Sequence, residues 1–95
     1  MKHGILIVDD SLTVRMDLGE AFESAGFAHM LCSTAAEARN ALSTRSFALI
    51  ILDVQLPDGD GIDLLREIRN VPSTAEILVM LLSSEAEVGD RTRGL

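Results

Sequence analysis

The chain has 95 residues, with 8 Lys plus Arg against 15 Asp plus Glu, a formal net charge of −7. That sign argues against direct nucleic-acid binding, which needs a basic face, and 47% apolar with 24% charged residues excludes a disordered chain. The longest apolar runs, Phe47–Leu52 and Ile77–Leu82, are six residues each, far short of the roughly 18 that span a bilayer.

No repeat, low-complexity tract or linker interrupts the chain, so it reads as one domain over residues 1–95. No charged-then-apolar leader opens it, and the single Cys32 cannot form an internal disulfide, so a reducing cytoplasm is expected. Gly4–Val8 is an apolar run that stops at two acids, a first strand. Ser11 is a candidate N-cap, and Val14, Leu18, Ala21, Phe22 and Ala25 follow at helical spacing until Gly26. Phe27–Cys32 reads as a second, weaker edge strand. Thr34 and Glu37 make a capping box for a helix with Ala35, Ala38, Ala41 and Leu42 on its apolar face. Phe47–Leu52 is the third strand, followed by a loop from Asp53 to Asp60. Ile62, Leu64, Leu65 and Ile68 mark a third helix, with Asp63 near its start and Arg66 and Arg69 near its end to suit the helix dipole. Ile77–Leu82 is the fourth strand, and Ser84 with Glu87 opens a fourth helix.

Strand–helix alternation with short loops predicts right-handed crossovers and a parallel sheet covered by helices on both faces. The fourth strand is apolar throughout, as interior parallel strands are, yet no later strand is present to cover its outer edge. A fifth strand and its helix are therefore expected to be missing.

Asp9 and Asp10 follow Val8, and Asp53 follows Leu52, each just beyond an apolar strand. Were the first and third strands neighbours, about 4.8 Å apart, the three carboxylates would converge. Like charges so close raise one another's pKa, and a hard divalent cation, Mg²⁺ above all, relieves them. The bland alternative makes Asp10 a helix cap. An FMN-type phosphate cradle is disfavoured, because the first loop carries two negative charges instead of bare N–H groups.

Three segments carry a resemblance: Ile-Leu-Ile-Val-Asp-Asp-Ser at 5–11, Leu-Asp-Val-Gln-Leu-Pro-Asp-Gly-Asp-Gly at 52–61, and Leu-Ser-Ser at 82–84. In combination they resemble the receiver domain of two-component response regulators, and Arg91-Thr92-Arg93-Gly94-Leu95 is similar to a following helix in many members. The resemblance implies a three-layer, flavodoxin-like, doubly wound α/β fold of strand order 2-1-3-4(-5), incomplete at its C-terminus. It implies that Asp53 is the phosphoacceptor, forming an aspartyl phosphate with a group taken from a histidine kinase or a histidine phosphotransfer protein. Asp10, Asp53 and the Gln55 backbone carbonyl would hold Mg²⁺, with Asp9 acting through coordinated water. Ser83 would be the switch hydroxyl and Ser84 the small residue beside it. Pro57 and Gly59 would shape the loop, and Gly61 would open the third helix. The family's lysine at the end of the fifth strand has no counterpart here.

Such a domain is a signalling module with self-catalysed chemistry, feeding a downstream output domain or protein, with no membrane contact. Two other readings are a non-phosphorylated interaction module and a metal-dependent phosphohydrolase. Retention of three acids and a hydroxyl disfavours the first. Gln55, two residues after Asp53 where such enzymes carry a second acid, disfavours the other. Of the remaining residues, Cys32 reads as a small buried hydrophobe, and His3 and His29 as surface or edge residues. Met16, Met30 and Met80 read as core filler. Asp58, Asp60 and Asp63 read as turn and helix-start acids, with Asp58 also placed to add to the field around the metal.

Overall fold

Four of the strands align as one parallel sheet in the computed structural model, which describes residues 4–83. His3, the helix expected from Ser84 and the Arg91–Leu95 segment lie outside the described residues. The elements are β1 (Gly4–Val8), α1 (Leu12–Ser24), β2 (His29–Cys32), α2 (Ala35–Thr44), β3 (Phe47–Asp53), β4 (Gln55–Leu56), β5 (Gly59–Asp60), α3 (Gly61–Asn70) and β6 (Leu78–Leu82). The sheet runs β2-β1-β3-β6, all neighbours parallel. Because β6 is the fourth strand of the main sheet, this is the expected 2-1-3-4 order of a doubly wound, flavodoxin-like α/β fold.

Period-two alternation sends β1 and β3 side chains to both faces. On one face Leu6, Val8, Ile50 and Leu52 pack with Ala35, Ala38 and Ala41 of α2 and Leu64 and Ile68 of α3. Ile5 and Ile7, in register with His29 and Leu31, take the other face. There α1 comes close enough that a side chain on Gly19 would touch His29 and Leu31. Cys32 closes the core at the end of β2.

Helix starts follow local chemistry. Ser11 Oγ accepts from Val14 N at 3.3 Å, Thr34 Oγ1 from Glu37 N at 3.1 Å, and an Asp60 carboxylate oxygen from Ile62 N at 2.8 Å. Glu37 reaches back to Ser33 N at 2.8 Å, completing the box one residue early.

Three expectations need correction. The second strand starts at His29, not Phe27, because Phe27 belongs to the stop signal of α1. Gly26 takes φ +89°, Gly26 N donates to Glu23 O and Phe27 N to Phe22 O, and the Phe22 and Phe27 rings pack edge to face at 6.3 Å. The loop after β3 contains a small antiparallel hairpin, Gln55 opposite Asp60 and Leu56 opposite Gly59. Met16 and Met80 are exposed, and only Met30 packs against the core. Met16 is on an outward face of α1, and Met80 extends the Ile51 side of the sheet, where no described helix covers it. In line with the expected uncovered edge of the fourth strand, β6 pairs on one side only among the described residues, and Leu78, Met80 and Leu81 are exposed.

Candidate functional site

Val8 and Leu52 are register partners, so the residues that follow, Asp9 and Asp53, emerge side by side at the carboxyl edge of the sheet. One carboxylate oxygen from each of Asp9, Asp10 and Asp53 lies within 4.8 Å of the others. Asp9 is buried, Asp53 half-buried and Asp10 exposed. Asp9 is held from several sides. Its N–H donates to Cys32 O at 3.0 Å, its Oδ1 accepts from Ser11 N at 2.9 Å, and Arg15 Nη1 donates to its carbonyl at 2.9 Å. No motif in the sequence sets Arg15 apart. Its one available signal was a cation one turn inside a helix that starts beside two acids. Capping of α1 falls to Ser11, which leaves Asp10 exposed beside its two partners.

Asp53 ends β3, and its Oδ1 accepts from Gln55 N at 3.2 Å. Burial pushes its carboxyl above the usual range, the Gln55 N–H opposes that, and the charges of Asp9 and Asp10 push further upward. Among the described residues, the two ion pairs are Arg39–Glu67 and Asp63–Arg66, and neither touches these acids. Three carboxylates this close, one of them reluctant to ionise, form a donor set that fits a hard divalent cation.

The residues around the acids differ in what the backbone asks of them. A Cβ on Gly61 would fall on the carbonyl oxygen of Asp53 and within 2.9 Å of Val54 Cα, and Gly61 N donates to Val54 O at 2.7 Å. Only glycine fits there. A Cβ on Gly59 would meet open space. Pro57 is exposed at the hairpin tip, Leu56 is buried in the core, and Gln55 is exposed. Ser83 follows Leu82, the register partner of Asp53, and is exposed at the end of the neighbouring strand; Val54 N donates to Leu82 O at 3.0 Å. Ser84 lies outside the described residues. Asp58 turns away from the cluster and bonds to the start of α2, so it is a helix-start acid and not part of the acids' field. Clefts of about 510 and 330 Å³ lie by the amino ends of β3 and β6 and between α2 and α3, and one of about 470 Å³, lined by Val54, Gln55, Leu56, Gly59 and Asp60, opens beside the acids.

The family model of the response regulator receiver domain matches residues 5–95. The transcriptional regulatory protein GltR of Pseudomonas aeruginosa is 38% identical over 93 residues, which cover 98% of this chain and 38% of that protein. The gliding motility regulatory protein of Myxococcus xanthus is 35% identical over 91 residues, covering 96% of this chain and 12% of that protein. The solved structure of the MaeR response regulator bound to beryllium trifluoride is similar with a TM-score of 0.78 at 32% identity, covering 98% of this chain and 78% of that one. The chain thus spans well under half the length of either regulator, and the matched part is set in proteins of very different size.

Proposed function

Because this chain belongs to the response regulator receiver family, we propose that it is the phosphoacceptor of a two-component phosphorelay, with Asp53 as the acceptor. The observation that carries the reading is the meeting of Asp9, Asp10 and Asp53 within 4.8 Å at the ends of adjacent strands.

In this reading an Asp53 oxygen attacks the phosphorus of a phosphohistidine on a histidine kinase or a histidine phosphotransfer protein. The phosphorus–nitrogen bond breaks, the imidazole leaves with its electron pair and takes a proton, and an aspartyl phosphate remains on Asp53. The Gln55 N–H on Oδ1 orients the carboxylate for that attack. Asp10, Asp53 and the Gln55 carbonyl would hold Mg²⁺, with Asp9 acting through water. Bound there, the ion would supply the charge neutralisation that phosphoryl transfer demands. Ser83, one step past the partner of Asp53, would offer its hydroxyl to the new phosphoryl group and so carry the switch.

We read the 95 residues as belonging to one receiver domain. Among the described residues β6 pairs on one side only, with Leu78 and Met80 exposed, which accords with a further strand beside it in the family's fold. A cytoplasmic setting accords with the lone buried Cys32, and among the described residues no helix is long and apolar enough to cross a membrane.

The test is labelling with acetyl phosphate and Mg²⁺, read by intact mass. One base-labile phosphoryl group is expected, and Asp53→Asn should abolish it. A gain that persists in the variant, or maps to His29 or His3, overturns the assignment.

A further inference from the structure

Asp58 sits at the tip of the β4–β5 hairpin, between Pro57 and Gly59, and both oxygens of its carboxylate leave the hairpin. Oδ1 accepts from Ala35 N at 2.7 Å and Oδ2 from Ala36 N at 3.0 Å. These are the first two residues of α2, where N–H groups have no partner inside the helix and an anion meets the positive end of the dipole. The same two donors hold the Asp58 carboxyl below the usual range. Thr34 already caps α2 from its own side. Asp58 therefore adds a second cap, from 23 residues away.

What the hairpin gains is larger than what the helix gains. With two residues in each strand it is too short to hold its own geometry. Leu56, the register partner of Gly59, anchors the hairpin in the core, but Gly59 offers no side chain and Pro57 is exposed. Among the described residues the Asp58 carboxylate is the tip's side-chain hydrogen-bonded tie to the rest of the fold, beside the apolar anchor of Leu56. The first strand of the hairpin carries Gln55, whose N–H bonds to Asp53 Oδ1. A continuous path thus runs from the start of α2 through Asp58 and the hairpin to the acceptor carboxylate.

We propose that Asp58 is a positioning residue for phosphoryl transfer: by fixing the hairpin tip to α2 it sets where Gln55 stands beside the three acids. This rests on the receiver reading of Asp53. A charge-assisted pair of hydrogen bonds to a rigid helix start is well suited to that role, since it is both strong and directional.

The experiment follows acetyl-phosphate labelling at Asp53 against Mg²⁺ concentration in the full-length protein, alongside thermal melting. Asp58→Ala should raise the Mg²⁺ needed for half-maximal labelling about tenfold, the scale on which outer partners of metal ligands act. Asp58→Asn keeps a carbonyl acceptor and should fall between the two. Ala35→Pro removes one donor from the opposite side. Proline is tolerated at the first helical position, and Thr34 before it is already extended, at φ −138° and ψ 163°. It should reproduce part of the Asp58→Ala shift, because Ala36 N still donates to Oδ2, and the double variant should not exceed Asp58→Ala. Arg39→Ala, which breaks the other tie of α2 to α3 at Glu67, should leave the Mg²⁺ requirement unchanged. If Asp58→Ala does not fold, Asp58→Asn and Ala35→Pro carry the same comparison. A lower melting temperature with a wild-type Mg²⁺ requirement would reduce Asp58 to a helix cap and overturn the proposal alone. A wild-type protein that takes no label overturns the receiver reading as well.

Discussion

β1 and β6 are both five-residue apolar strands parallel to β3, one on each side of it. Their environments are opposite. Ile5 through Val8 are at most 5% exposed, whereas Leu78 and Met80 are 69% and 53% exposed. The residue that follows each strand shows the same contrast: Asp9 is buried and held by several hydrogen bonds, and Ser83 is exposed. An apolar run therefore tells that a strand is suited to cover, and its neighbours decide whether it has any. The proposed site inherits this difference, with a fixed acidic half on β1 and β3 and an accessible hydroxyl half on β6.

The largest expected effect tests the buried side. Leu6→Ala empties a fully buried position on β1 and should cost about 3–4 kcal/mol in urea unfolding. Next comes Gly61→Ala, which sets a methyl against the backbone of Asp53 and should cost about 2–3 kcal/mol. Its labelling should fall too, since α3 can only make room by moving Asp53 or itself. A neutral Gly61→Ala would mean that the acceptor's backbone is as loose as β6, and the comparison would collapse.

Asp53→Asn should stabilise the protein at neutral pH without Mg²⁺. Burial raises the Asp53 carboxyl first, and the neighbouring acids add to it, so the folded state binds that proton more tightly than the unfolded chain does. Its contribution is fully present below the unfolded value and is lost as pH rises through the folded one. The advantage of the variant should therefore grow from about pH 4 upward, from the carboxyl's ordinary value of 3.8, and level off. Asp58 and Glu67, held low by their hydrogen bonds, tilt the whole curve the other way, but they are common to both proteins and cancel in the difference. Unfolding curves of the pair from pH 3.5 to 7 test this, and a difference independent of pH would refute it.

Smallest of all should be Met80→Ser on β6, worth about 0.5 kcal/mol or less. A loss several times larger in the full-length protein would show that chain outside residues 4–83 packs on this strand.

The convergence of Asp9, Asp10 and Asp53 was legible because it needs only two local facts, apolar runs ending at acids and adjacency of the first and third strands. The strand order followed from the same alternation, helped by the resemblance. What escaped depends on geometry that a linear pattern does not encode. Phe27 is as apolar as a strand residue, but a glycine in the left-handed region before it turns it back onto Phe22. Asp58 stands among loop acids in the sequence, and only the crossing of the hairpin tip over α2 gives its carboxylate two donors. Met80 has the composition of a core residue, and its exposure depends on which elements reach the Ile51 side of the sheet.

Cys32 offers the molecule a clock. The thiol is 3% exposed at the last position of β2, the sheet's outer strand on that side. Burial first, and then the charge of Glu37, push it up from 9.0 to about 11 against the pull of Arg15. Two units of that kind leave about a hundredfold less thiolate at neutral pH than an unburied cysteine has. A thiol reagent in excess therefore reacts when β2 peels from β1, and its rate counts those excursions. Each one also parts the Cys32 carbonyl from the Asp9 amide, so it loosens the most deeply set of the three acids. Anything that grips those acids should make the clock run slow.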